Sequence, residues 1–478
     1  MMWFRSDLRV HDNTALSRAC AESDEGVVAV FAVCAKQWKE RHDWGSPKVG
    51  FVMRQVAALK QRLDSLNIPL KIIRSDFFDG VPGSLVELAG ATGCDRLYFN
   101  REYEWNERIR DEAVVEAFEE AGLNTLAFHD QVLFEPGTIL TKSSDSFYSV
   151  YSPFKKACWK RFNEELKEQG GWTVLDAPSA AGTIDVTPDE VPESVPGFDE
   201  AEIDWDLWPA GEQAALNRLH AFVRSRIGDY REARDFPARD ETARVSAHLS
   251  AGVLSPRQCM QAALDANGGS IDSGNEGAVG WMEEILWREF YRHVLVGFPR
   301  VSRNRNFNSD YDGLAWRDAP EDLEAWKSGN TGYPIVDAAM RCLKQTGWMH
   351  NRLRMIVAMF LTKHLLIDWR EGERHFMRHL VDGDLGSNNG GWQWSASTGT
   401  DAQPYFRIFN PTSQSEKFDP DGSFIRAWVP ELSELRGKAI HDPHARSRAE
   451  LRGYPEPIVG QKEGRERALE VFKAHREG

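Results

Sequence analysis

Three short stretches of this 478-residue chain carry side chains able to do chemistry together. From Trp281 to His293, Trp281, Glu284 and Arg288 stand at i, i+3 and i+7 of a helical pattern, with Trp287 beside them, so an indole, a carboxyl and a guanidinium converge on one face. Alone, that pattern describes a capped, ion-paired core helix better than a site. From Trp348 to Met355, Asn351 and Arg354 share one side of a helix whose continuation is apolar to Leu366, and polar groups in such surroundings need partners. From Asp382 to Trp394, two carboxylates (Asp382, Asp384), two asparagine amides (Asn388, Asn389) and two indoles (Trp392, Trp394) fall within thirteen residues, among glycines that permit close backbone approach. A segment of this kind suits the gripping of a ligand.

The elements around these stretches read as two folding units, the number expected for this length. The first 130 residues alternate short β-rich runs (Met2–Phe4, Val27–Val33, Leu70–Arg74, Arg96–Asn100, Thr125–Phe128) with helical stretches, the rhythm of a parallel α/β sheet. Val52, Val56, Leu59, Leu63 and Leu66 recur at helical spacing within one such stretch, closed by Pro69. After the first strand the chain reads Arg5-Ser6-Asp7-Leu8-Arg9, without the glycines of a G-x-G-x-x-G turn, and no G-x-x-x-x-G-K-[ST] occurs anywhere. This is a Rossmann-like domain without its dinucleotide fingerprint. Residues 131–206 are irregular and end in an acidic, proline-spaced stretch, which reads as an interdomain linker. Beyond it, Pro256 after Ser255 and Pro334 mark helix starts and Gly347 a helix stop, so residues 207–478 are expected to form an all-helical domain.

Composition narrows the class. Hydrophobic residues at 41% and charged residues at 27% describe a folded globular protein. No apolar run approaches the ~20 residues of a spanning helix and no basic leader precedes the first strand, which points to the cytoplasm. The six cysteines form no C-x-x-C pair, so neither a zinc site nor a disulfide framework is indicated, and no metal is expected. A net charge of −15 argues against a nucleic-acid partner, yet nine of the acids lie between Asp185 and Asp206. Basic residues cluster at 288–305 and 338–367, where they describe either a basic surface or ion pairs inside the fold. Seventeen tryptophans are numerous, but core packing alone accounts for many of them.

The runs Asn351 to Met355, Gly332 to Met340 and Asn388 to Trp394 closely resemble the photolyase and cryptochrome family, and class I bacterial cyclobutane dimer photolyases best, with similarity over nearly the whole chain. The resemblance implies an antenna-binding α/β domain followed by a helical domain that encloses FAD in a bent form. It assigns flavin contacts to Tyr230, to Thr242, Ala243, Arg244, Val245 and Ser246, and to Trp281, Arg288, Asn351, Arg354, Asp382, Asp384 and Asn388. Position 243 is commonly serine in relatives, so Ala243 lacks that hydroxyl. Asn388 is expected near flavin N5, where a neutral amide suits the fully reduced anion and favours repair over signalling.

The same resemblance implies light-driven repair of cyclobutane pyrimidine dimers in UV-damaged DNA by electron transfer from excited reduced FAD. The lesion would be flipped out of the duplex, a mode of access for which photolyases are a standard example. Trp287 and Trp394 would wall the extruded dimer, Met355 would close the pocket, Asn351 and Glu284 would bond the pyrimidines, and Arg234, Arg352, Arg407 and Gln414 would contact DNA. Glu284, held protonated by burial, would donate to a pyrimidine carbonyl. Trp392, Trp369 and Trp316 match the family's electron relay to the surface. A methenyltetrahydrofolate antenna is expected at His42, Asn106, Glu107 and Arg303, the last standing where the folate branch usually has lysine. The resemblance implies a monomer with no obligate protein partner. Competing readings are a cryptochrome-like light sensor, disfavoured by Asn388 and the short C-terminus, and repair of the (6-4) photoproduct, disfavoured by Asn351 and Met355 where paired histidines are usual.

Overall fold

The structure is a computed structural model and describes all residues except 170, 171, 180, 181, 183, 447–450, 452 and 478. Five strands form one all-parallel sheet: β1 (Met2–Phe4), β2 (Ala29–Cys34), β3 (Leu70–Ser75), β4 (Arg96–Asn100) and β5 (Asn124–Phe128), in the order β3-β2-β1-β4-β5. Trp3 lies between Val30 and Phe99 in register. Met2, Trp3 and Phe4 are fully buried, as a strand covered by helices on both faces requires. The helical stripe read from the sequence belongs to α1 (Ser46–Asp64), where Val52, Val56, Leu59 and Leu63 are buried. Strand order reverses on either side of β1, which opens a crevice at the carboxyl ends of β1, β2 and β4. No glycine-lined turn occupies it: Arg5 pairs with Asp111 at 3.2 Å, and Arg9 pairs with Asp130.

The expected linker is largely ordered structure. Within it, α2 (Tyr151–Gln169) packs Tyr151, Phe154, Cys158 and Phe162 into the core. The acidic stretch runs along the sheet edge: Asp189 N–H donates to Leu70 O at 2.8 Å, and its carboxylate accepts from Ile72 N–H at 2.8 Å and pairs with Lys71. An edge strand's unpaired groups are thereby satisfied. The stretch then joins the helical domain through Asp204 N–H donating to Gln345 O at 3.1 Å. Compositional signals for a linker therefore marked a strap.

The helical domain positions the site on four helices: α3 (Glu276–Gly297), α4 (Asn351–Met359), α5 (Trp369–His379) and α6 (Leu385–Ala396). The sequence signals for neighbouring helices hold: Ser255 and Gln258 form a reciprocal capping box, and Gly347, at φ +68°, ends the helix begun at Pro334. The domains are joined by buried ion pairs. Arg257 meets Asp12 at 3.0 Å and Asp130 at 2.8 Å, and Glu289 on α3 accepts from the N–H groups of Leu133 and Phe134, each at 2.9 Å. No helix among the described residues is long and apolar enough to cross a membrane.

Candidate functional site: two cavities sharing a wall

Helix α3 is started by Asn275, whose side chain accepts from Ala278 N–H at 2.9 Å, and it presents Trp281, Glu284, Arg288 and Tyr291 to a cavity of about 520 Å3. Tyr291 extends the i, i+3, i+7 stripe by three residues, a position helical spacing alone discloses. Helix α4 is capped by His350, whose Nδ1 accepts from Arg352 N–H at 3.1 Å. Burial pushes the His350 pKa down to about 4, so the ring is neutral as that acceptor role requires. Helix α6 is capped by Asp384, which accepts from Ser387 N–H at 2.8 Å. A β-carbon at Gly390 would collide with the Tyr291 ring, so glycine there lets α6 reach α3.

All thirteen expected flavin residues line this one cavity: Tyr230, Thr242, Ala243, Arg244, Val245, Ser246, Trp281, Arg288, Asn351, Arg354, Asp382, Asp384 and Asn388. Arg354 Nη2 donates to both Asp382 oxygens, at 3.0 and 2.8 Å, while its Nε donates to Met349 O at 2.7 Å. Burial alone would raise the Asp384 pKa, but Arg292 and Arg288 hold it near 2. Burial, with repulsion from Arg292, lowers Arg288 to about 10, and its Nη1 donates to Gln131 O at 2.6 Å. The Asn388 amide nitrogen donates to Glu373 O at 3.0 Å and to its carboxyl at 3.4 Å, which leaves Oδ1 for the cavity. Among the described residues, Arg244 Nε and Arg352 Nε are buried without a hydrogen-bond partner. Surplus buried cationic donors with an aromatic lining fit an anionic, planar cofactor such as FAD.

At the mouth stand Trp287, Trp394, Met355, Arg234 and Arg352, all lining the same volume. Glu284 is ion-paired with Arg234, both side chains about one-third exposed. Burial raises the Glu284 pKa and outweighs the lowering by Arg234, so the carboxyl is poised between acid and ion-pair partner. Arg352 pairs with Asp235 at 2.8 Å. Arg407 and Gln414 are not among the lining residues; Arg407 is exposed on the surface. Trp392 lines the cavity, Trp369 is fully buried with its N–H donating to Asn306 Oδ1 at 2.9 Å, and Trp316 is partly exposed beside Phe472 at 6.3 Å.

Basic clusters in the sequence resolve partly into ion pairs. Arg341 meets Glu431 at 2.8 Å, Arg300 meets Asp312 at 2.6 Å, and Lys363 is buried with its ammonium on Ala396 O and Ser397 Oγ. Arg292, Arg341, Arg352 and Arg354 bear out the reading as ion pairs inside the fold, whereas Arg300 pairs at the surface.

A second cavity, of about 180 Å3, occupies the crevice at the sheet's carboxyl edge. His42, Asn106 and Glu107 line it, as do Trp38 and Trp44, stacked at 5.3 Å. His42 Nε2 lies 3.2 Å from Glu107 Oε1. Burial, with Arg110 nearby, lowers His42 to about 3, while burial and the neighbouring Glu104 and Glu102 raise Glu107 well above the usual carboxyl range. Both shifts favour the uncharged forms of this close pair. Arg303 is not in this lining: its exposed guanidinium lies 5.1 Å over the Trp105 ring, and Ser302 and Asn304 on either side reach the cavity instead.

The two cavities share a wall that the sequence did not disclose. Asp384 and Ser250 line both. Arg292, fully buried on α3, bridges Glu104 of the smaller cavity and Asp384 of the larger, and Lys48 of α1 donates to Gly383 O and Ser250 Oγ. These contacts join residues up to 335 positions apart, so no local spacing could reveal them.

A family model described as DNA photolyase matches residues 1–170, and one described as FAD binding domain of DNA photolyase matches residues 281–474. The deoxyribodipyrimidine photo-lyase of Escherichia coli K12 is 43% identical over 480 residues, covering 100% of this chain and 99% of that protein. That of Vibrio cholerae is 42% identical, with 99% of each covered. Among solved structures, a bacterial class III photolyase from Agrobacterium tumefaciens superposes with a TM-score of 0.88 at 37% identity, covering 100% of this chain and 97% of that one. The Synechocystis cryptochrome superposes at 0.84 with 28% identity and 98% of both chains covered. With full-length identity of this order and with both matched domains carrying a built cavity, the chain belongs to the DNA photolyase family.

Proposed function

We propose that this chain is a light-driven DNA repair lyase that splits cyclobutane pyrimidine dimers, using FAD in the larger cavity. One observation carries the reading: the residues suited to holding the flavin and those suited to holding the dimer line a single volume of about 520 Å3, which would hold donor and acceptor side by side. When bound, reduced FAD supplies one-electron chemistry under light, an electron lent to the dimer and recovered once its two bridging carbon–carbon bonds have opened.

The chain's own residues set the conditions for that exchange. Arg244 and the backbone from Thr242 to Ser246 meet the pyrophosphate, with Tyr230 beside them. Asp382, its charge held by Arg354, accepts from a ring N–H. Asn388 would offer Oδ1 to the flavin at N5, its amide nitrogen being engaged by Glu373. Trp287 and Trp394 clasp the flipped dimer, Met355 closes over it and Asn351 bonds its polar edge. Glu284 would donate to the pyrimidine carbonyl in its acid form, toward which burial shifts it. Arg234 and Arg352, with Arg407 and Gln414 further out, meet the DNA backbone. Trp392, Trp369 and Trp316 carry electrons between cavity and surface, the first two buried and the last partly exposed.

Residues 1–130 serve as the antenna domain and 207–478 as the catalytic domain. The smaller cavity takes methenyltetrahydrofolate, with the Glu107 carboxylic acid and Asn106 bonding its ring edge and His42 fixing Glu107. An archaeal photolyase from Sulfolobus tokodaii is described with two FAD molecules. Here the antenna cavity, at about 180 Å3 against 520 Å3, favours a smaller chromophore than a second FAD. Both cavities are completed by one chain, which supports a monomer.

The test is direct. Flavin-reduced protein and an oligonucleotide containing one thymine dimer are illuminated with blue or near-ultraviolet light beside a dark control. Light-dependent recovery of thymine absorbance is expected. No recovery with reduced flavin bound would move the chain to the light-sensor or (6-4) reading.

A further inference from the structure

We propose that Tyr151, which lies outside both cavities, is the positioning residue that fixes the Trp287 lesion wall; the inference rests on the repair reading above. Its ring stacks on Trp287 with centroids 3.6 Å apart and planes 11° from parallel. That is face-to-face contact over the whole indole, and it leaves only the opposite face of Trp287 to the cavity that the indole lines.

Tyr151 is itself held from several directions. Its hydroxyl donates to Glu283 O at 2.7 Å, and its N–H donates to Asp401 Oδ2 at 3.3 Å. One turn along α2, Lys155 pairs with the Glu283 carboxylate at 2.7 Å, so α2 is clamped to the turn of α3 that carries Glu284 and Trp287. Phe290 meets both rings edge-on, at 5.9 Å from each. Tyr151 is buried, whereas Trp287 is only half-buried.

The physical consequence is preorganisation. An indole at a cavity mouth with two free faces would rotate about its side-chain bonds, and ordering it would be charged against lesion binding. Packed against Tyr151, it is ordered on folding and offers one flat face at a fixed angle. A stack of this kind contributes enough to change affinity by roughly three- to tenfold. Tyr151 lines neither cavity, so its loss should act on lesion affinity and not on the rate once the lesion is bound.

The test uses flavin-loaded protein, a dimer-containing oligonucleotide and its undamaged counterpart. Tyr151→Leu is expected to weaken dark binding of the dimer oligonucleotide roughly three- to tenfold. Binding of undamaged DNA, flavin content and the repair rate at saturating lesion should be retained, and Tyr151→Phe should restore affinity. In a Trp287→Leu background the same change should add nothing, because its effect runs through the indole. Should Tyr151→Leu lose flavin or fold poorly, Tyr151→Met preserves the volume without the ring and is read in the same way. Unchanged lesion affinity in a folded variant, or an equal further loss on Trp287→Leu, would overturn the proposal while leaving the repair reading intact. Wild-type protein with no preference for the dimer would instead remove that reading.

Discussion

Glu373 should make the folded protein less stable as pH rises, and Glu373→Gln should abolish the effect. Its carboxyl is buried behind Asn388, and burial together with Asp43 raises its pKa from an ordinary 4.5 to about 7, against the opposing pull of Arg374 and Arg370. A raised carboxyl binds its proton more tightly in the folded chain than in the unfolded one. Stability from this group is therefore full below pH 4.5, declines between 4.5 and 7, and is gone above 7. At 1.36 kcal/mol per pH step, the loss across that window is about 3 kcal/mol. For a chain of this length, or for its helical domain unfolding alone, that corresponds to about 3 to 5 °C in melting temperature. Glutamine keeps a carbonyl for the Asn388 amide and carries no charge, so the variant should match wild type near pH 5 and exceed it by this margin near pH 8. The assay is thermal unfolding of flavin-loaded wild type and variant from pH 5 to 8.5 at a common excess of FAD. Parallel profiles over the whole range would refute the reasoning, since they would mean that the Glu373 proton has the same affinity folded and unfolded.

Arg354→Met should strip flavin, because it leaves the buried Asp382 carboxylate unpaired at a cost of about 3 kcal/mol or more; the check is flavin-to-protein absorbance after purification. Glu284→Gln should lower the repair quantum yield by up to about tenfold through loss of a proton donor to the pyrimidine carbonyl; full yield under saturating lesion would mean that no such donation is needed. Trp316→Phe should slow photoreduction of the oxidised flavin by about tenfold or more, read as the fall in flavin absorbance under blue light with an external reductant; an unchanged rate would remove Trp316 from the relay.

Much of the site was legible because its residues repeat within single elements. The stripe Trp281, Glu284, Arg288 needs only helical spacing to be read as one face, and it does face the cavity. Pro256, Pro334 and Gly347 mark helix ends by local backbone chemistry, and the strands are found within one or two residues of where apolar runs placed them. Tyr151 was missed because nothing local distinguishes it: its role lies in a ring 136 positions away. Family resemblance places Arg303 among the antenna contacts by position, but its side chain turns outward over Trp105. The acidic stretch looked like a linker because charge and proline report what a segment cannot do by itself, not what an unpaired sheet edge can do for it.

The sequence by itself determined the fold class, the order of α/β and helical parts and many of the residues that line the larger cavity, since apolar periodicity, helix caps and family-matching motifs are all carried in contiguous residues. Tertiary structure alone decided which charges neutralise one another, that burial and neighbouring acids raise the Glu107 pKa, and that Arg292 and Lys48 build a common wall between the two cavities. The reason is physical: the protonation state and partner of a buried group depend on every charge within a few ångströms. Those neighbours come from strands, loops and helices that only folding brings together.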